Sequence, residues 1–131
     1  MIAQNVSCLT SPARFNSSNH FSFSKFVTNN IPYPRIHFLS SSLCPYVRTE
    51  EEHVYRFLKT KDISKEVLNT SHFMNQINTE QGKYISSSFI YRGNTCQKDA
   101  IDTLHEQKSS SQNFRLVDWS PVGIQTTFCD K

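Results

Sequence analysis

Gly82-Lys83-Tyr84-Ile85-Ser86-Ser87-Ser88-Phe89-Ile90-Tyr91-Arg92-Gly93 is the stretch on which the fold turns. Ile85, Phe89 and Tyr91 share one parity and a glycine punctuates each end, so residues 83–92 predict a β-strand. Just downstream, Ala100, Ile101 and Leu104 recur at helical spacing, with Lys98, Asp102 and Glu106 between them. That pattern predicts a helix over 97–107 with the three apolar residues buried. Ser109-Ser110-Ser111 reads as a loop, 114–119 as extended chain and Pro121 as a turn. Residues 123–129 alternate Ile124, Thr126 and Phe128, a second strand. Strands alternating with helices predict an α/β fold: a two-layer sandwich, with helices packed on a mixed β-sheet.

Upstream of this unit, 69–81 is polar and loop-like, with Phe73, Met74 and Ile77 to pin it down. Ile63, Val67 and Leu68 predict a helix over 62–68, capped by Thr60. The connection 46–59 carries Glu50, Glu51, Glu52 and His53, and reads as a solvated loop rather than a metal site. Before it stands Asn30-Ile-Pro-Tyr-Pro-Arg-Ile-His-Phe38. Pro32 and Pro34 fix their own φ and push the preceding residues out of the helical region, so the chain leaves a helix here and runs extended. A strand is predicted from Ile36 to Cys44, ended by Pro45. Phe23, Phe26 and Val27 share one face of a short helix over 23–29, with Ser22 as its N-cap. Ile2, Val6 and Leu9 belong to an earlier helix that Pro12 should break.

The 131 residues are 37% hydrophobic, with ten Phe and five Tyr but only three Gly. Mean hydropathy is −0.51, and the core is expected to be adequate at best. A net charge of +3 is too mild and scattered to imply nucleic acid. Cys8, Cys44, Cys96 and Cys129 form no CxxC and no short Cys/His spacing, so no metal site is indicated. No secretory leader and no membrane-spanning apolar run is visible. The sequons at Asn5, Asn16 and Asn69 are expected from chance in a Ser- and Asn-rich chain. A reducing, cytosolic compartment is expected. There is no GxxxxGK[ST], HExxH or GxSxG, and His20, His37, His53, His72 and His105 are scattered.

Asn30 to Phe38 resembles the segment that leads from the interface helix of tubulins into their second domain, with Tyr33 and Ile36 as in the alpha class. Four further stretches are similar in order and spacing. Met1 to Phe15 resembles the last turns of the family's core helix, closed by Arg14-Phe15. Gly82 to Gly93 resembles its strand with an Arg-Gly exit. Lys98-Asp99 sits where the next helix begins. Val117-Asp118-Trp119 with Pro121 resembles the run before the following strand. Pro12 departs from the pattern, and Thr126 to Asp130 looks nearer to the beta class.

The resemblance implies a partial alpha-tubulin-like chain, with 1–15 the end of the core helix and 16–131 part of the second (intermediate) domain. No nucleotide-binding domain is expected. It implies a structural role in the microtubule cytoskeleton of the cytoplasm. The partners would be tubulin subunits, a beta-tubulin-like one first, and neither nucleic acid nor membrane. GTP and Mg belong to the intact family, and no cofactor is expected in this chain. By the same resemblance Lys25 occupies the position of a glutamate that promotes GTP hydrolysis in the neighbouring subunit. A carboxylate orients water or accepts its proton, and an ammonium does neither. No catalytic residue is therefore expected, although Lys25 reads equally well as an ordinary surface lysine. Lys25, Asn29, Ile31, Pro32, Tyr33, Trp119 and Pro121 would form a longitudinal contact face, and Tyr46, His53 and Tyr55 a lateral loop. Trp119 reads equally well as core. GTPase activity as in the intact family and a fragment without function of its own are the rival readings. Without the family's last sheet strand and outer helices the chain is expected to be marginally stable alone, and with one longitudinal face it is expected to cap polymer ends without triggering hydrolysis.

Overall fold

The computed structural model describes residues 2–18, 20–46, 59–79, 81–110, 114–119 and 123–130. Its elements are α1 (Ile2–Arg14), α2 (Phe23–Asn30), α3 (Thr60–Glu66), β1 (Ser87–Arg92), α4 (Gln97–Ser110) and β2 (Ile124–Cys129), with a 3₁₀ turn over Thr70–His72. The two strands pair in parallel, from Ser87↔Ile124 to Arg92↔Cys129. A parallel pair cannot be closed by a hairpin, and α4 supplies the crossover.

Alternation along the strands sorts the side chains onto two faces. On one face the Tyr91 and Phe128 rings stack at 5.2 Å, and Ala100 and Leu104 of α4 close over them, with Phe89 and Ile124 alongside. The next residues, Arg92 and Cys129, point the other way, toward α1. There Ser11 Oγ lies 3.8 Å from Cys129 Sγ, and Arg92 reaches Cys8 Sγ at 3.9 Å. Burial pushes the Cys129 thiol above its ordinary pKa, against the smaller opposing pull of its bond to Ser11. Sheet and α4 thus form two packed layers, and α1 closes the far face. A single antiparallel bridge, Ser17↔Cys129, adds the reverse direction beside the parallel ladder, with Ser18 N donating to Phe128 O at 2.8 Å.

Helix α3 packs on α4 and is tied to the core by one polar contact. Ser64 is buried, its Oγ donates to Thr60 O at 2.8 Å, and the same oxygen meets the Tyr91 hydroxyl at 2.8 Å. Since the serine proton is already committed, Tyr91 is the donor in that bond. Desolvation raises the Tyr91 pKa, keeping the hydroxyl protonated for that donation.

Several expectations are corrected. Pro12 does not break α1, which runs on to Arg14 with Pro12 inside it and buried. The carbonyl that Pro12 cannot satisfy, that of Cys8, accepts instead from Ser11 Oγ at 2.7 Å, which removes part of the usual cost. The strand predicted over 36–44 does not form. Only Ser42 bridges, antiparallel to Phe73, and Phe38 is 99% exposed. β-branched and aromatic residues favour a pleated surface but do not create a partner for it. β1 begins at Ser87 rather than at residue 83, with Tyr84 making a separate parallel bridge to Leu116.

In α4, Ile101 is exposed and Thr103 is buried in its place. Its hydroxyl is satisfied by the Asp99 carbonyl at 2.6 Å, so a polar residue holds a core position that hydropathy alone assigns to its neighbour. Thr60 is the first residue of α3 and Lys59 its cap. Ser22 occupies the N-cap of α2 without a side-chain cap bond. Phe23 and Val27 are exposed, and Ile77 is exposed as well. Glu50, Glu51, Glu52, His53, Tyr55 and Pro121 lie outside the described residues.

Candidate functional site

The contact face implied by the sequence starts at α2. Among the described residues no ion pair involves Lys25, which is exposed on the first turn of that helix. The C-terminal end of α2 is held against the sheet by amide side chains. Asn29 Nδ2 donates to Gln125 Oε1 at 3.2 Å. Asn30 is buried, donates to Phe26 O at 2.8 Å, and takes Ser88 Oγ on its side-chain oxygen at 3.0 Å. Ser86 Oγ meets the Asn30 carbonyl at 2.8 Å. These bonds satisfy the helix end and fix the point from which the Pro-Tyr-Pro run departs. Sequence reasoning assigned Asn30 no role, because an Asn at a helix end carries no signal of what it will meet across the fold.

Beyond α2 the chain turns at Tyr33–Ile36, where Ile36 N donates to Tyr33 O at 3.2 Å and His37 bonds back to the Pro34 carbonyl. This turn brings Tyr33 beside Trp119, with ring centroids 5.6 Å apart. Tyr33, Pro34, Arg35, Ile36 and Trp119 line an open groove of about 630 Å³. Trp119 is 60% exposed, which rejects the core reading of that residue. The structure therefore unites Tyr33 and Trp119 of the anticipated face. Asn29 is committed to the sheet, and Ile31 and Pro32 are half-buried. Tyr46, the described member of the lateral set, is half-buried.

A second constellation was not visible in the sequence. Cys44, Glu66 and His72 are all partly buried, and one ligand-capable atom from each falls within 4.8 Å of the others. His72 Nε2 stands 3.4 Å from Glu66 Oε1, and Cys44 Sγ stands 3.6 Å from Glu66 Oε2. Ser42 Oγ donates to Val67 O at 2.7 Å, and Met74 N donates to Ser41 O at 2.9 Å. Those two bonds, with the Ser42↔Phe73 bridge, lace the Cys44 segment to the end of α3 and the 3₁₀ turn. The spacing between Cys44 and Glu66 is 22 residues, outside any short ligand motif, which is why sequence reading passes it over.

Comparison with known proteins identifies the family. Residues 34–131 match the model of the tubulin C-terminal domain. The chain is 36% identical to the tubulin alpha-6 chain of Naegleria pringsheimi over 125 residues, covering 95% of this chain and 27% of that protein. It is 32% identical to the tubulin alpha-2 chain of Eleusine indica (95% and 28% covered), and 32% identical to the tubulin alpha chain of Trypanosoma cruzi (95% and 27%). It thus spans little more than a quarter of the length of these relatives. The Pro-Tyr-Pro turn, the parallel strand pair with its crossover helix and these matches lead to one conclusion: the chain belongs to the tubulin family, as a partial, alpha-tubulin-like chain carrying a tubulin C-terminal-type domain.

Proposed function

We propose that this chain is a structural constituent of microtubule-type polymers in the cytoplasmic cytoskeleton, meeting a beta-tubulin-like subunit through the Tyr33–Trp119 groove. The observation that carries this reading is the groove itself. Two large exposed aromatic rings from distant parts of the sequence are set side by side, in a groove whose other lining residues are Pro34, Arg35 and Ile36. Aromatic anchors in a water-excluding pocket are what a stable protein contact uses. Lys25 lies on the helix that feeds the turn, and offers cation and donors but no acceptor. The contact it joins is one of binding and not of hydrolysis. Among the described residues no helix is long and apolar enough to cross a membrane.

The test is co-sedimentation of the purified chain with polymerising tubulin. Saturable recovery in the polymer pellet, weakened about tenfold or more by Trp119→Ser or Tyr33→Ser, is the expected outcome. Recovery that both substitutions leave unchanged removes the groove from the contact. Phosphate release per bound chain is expected to rise with Lys25→Glu. A wild-type chain that already stimulates release, with no further gain in Lys25→Glu, contradicts the role given to Lys25.

A further inference from the structure

The Cys44–Glu66–His72 cluster has the chemistry and the dimensions of a transition-metal site. We propose that it binds one zinc-like divalent cation. The first argument is distance. A charge-assisted hydrogen bond between imidazolium and carboxylate closes to about 2.7–2.9 Å, and His72 Nε2 and Glu66 Oε1 stand 3.4 Å apart. A tetrahedral zinc ion, with metal–N and metal–O bonds of about 2.0–2.1 Å and metal–S bonds of about 2.3 Å, separates neighbouring ligands by roughly 3.3–3.7 Å. The imidazole stands 3.4 Å from Glu66 Oε1 and the thiol 3.6 Å from Oε2 of the same carboxylate, and one ligand atom from each of the three residues lies within 4.8 Å of the other two, so a small side-chain adjustment brings all three onto one ion.

The second argument is the donor set. A thiolate, an imidazole and a carboxylate together suit borderline ions such as Zn²⁺ or Co²⁺. Ca²⁺ and Mg²⁺ require shells built of oxygen. A thiol binds such an ion as thiolate, so binding is expected to release the Cys44 proton. The third argument is preorganisation. The three ligands come from three segments, which the Ser42–Val67 bond, the Met74–Ser41 bond and the Ser42↔Phe73 bridge already hold together. Among the described residues the ligands number three and are partly buried, the protein-ligand count of three-ligand zinc centres. The bound ion would clamp the chain before the 46–59 connection to the end of α3.

Cobalt titration of the full-length chain under reducing conditions tests the site. The expected result is one equivalent of Co²⁺ bound with a thiolate-to-cobalt charge-transfer band and tetrahedral d–d bands, both displaced by Zn²⁺. Cys44→Ser abolishes the charge-transfer band. His72→Gln and Glu66→Gln each weaken binding by tenfold or more, and Cys96→Ser, at an exposed cysteine, changes nothing. Thermal melting with Zn²⁺ shifts upward in the wild type and not in His72→Gln. The assignment is overturned if no charge-transfer band appears. It is equally overturned if the band survives Cys44→Ser, or is lost with Cys96→Ser, or if His72→Gln binds as well as wild type. His72 sits on a short 3₁₀ turn outside the core, so its variant decides the question even if Cys44→Ser folds poorly.

Discussion

The segment 31–46 and the β1–α4–β2 unit both carry apolar side chains at alternating positions and meet opposite outcomes. In the strand–helix–strand unit, Tyr91, Ala100, Leu104 and Phe128 are buried in one cluster. In 31–46, Tyr33, Ile36, Phe38 and Leu39 all remain exposed. The local patterns do not explain the contrast, since both segments alternate apolar and polar residues well enough to read as strands. β1 has a partner in register and a crossover helix to cover it. The 36–40 run has neither among the described residues. Burial in this molecule is decided by what the topology brings alongside, and only afterwards by side-chain type.

That contrast can be broken by matched substitutions at two phenylalanines. Phe114, 1% exposed, packs between Tyr84 and Phe89 at ring distances of 5.2 and 6.0 Å. Phe114→Ala should destabilise the fold by about 4 kcal/mol, measured as a loss of urea midpoint at constant slope. A loss below about 1 kcal/mol would mean that the ring cluster is not part of the cooperative core. A smaller effect is expected where a single bond joins α3 to the sheet. Tyr91→Phe removes the donor that reaches Ser64 Oγ while keeping the ring stack on Phe128, and should cost about 1 kcal/mol. Its size separates hydroxyl from ring, and hydrogen exchange in α3 should rise more than exchange in α4. The smallest effect belongs to Phe38→Ala, which should leave stability within about 0.5 kcal/mol of wild type. A larger loss would show that residues 36–40 are covered in solution and would erase the distinction drawn above.

The sequence made the framework legible wherever structure is set by local period. Gly82 and Gly93 bracket the first strand, the 3.6-residue spacing from Ala100 to Leu104 marks the crossover helix, and 124–128 alternates as β2 does. Exchanges between neighbours escaped it. Thr103 takes the core position expected of Ile101 because its hydroxyl has a carbonyl one turn back. Pro12 stays in α1 because Ser11 serves the stranded carbonyl. These are substitutions of one hydrogen-bond partner for another, invisible to hydropathy. The candidate sites divide the same way. Tyr33 and Trp119 were named from resemblance, but their meeting across the groove depends on the turn at 33–36. Cys44, Glu66 and His72 are collected by two loops and a helix end, and no spacing rule reaches that far.

The parallel register also governs how the chain matures. Ser88 in β1 finds Gln125 in β2 only 37 residues later, and Ser11 in α1 waits for Cys129 across a separation of 118. Such distant pairings carry the loop-closure entropy that slows folding. A ribosome adding about 5–20 residues per second leaves β1 without its neighbour for roughly 2–7 s. Throughout that interval the Tyr91 ring has nothing to stack on and the strand edge is open to any other extended chain.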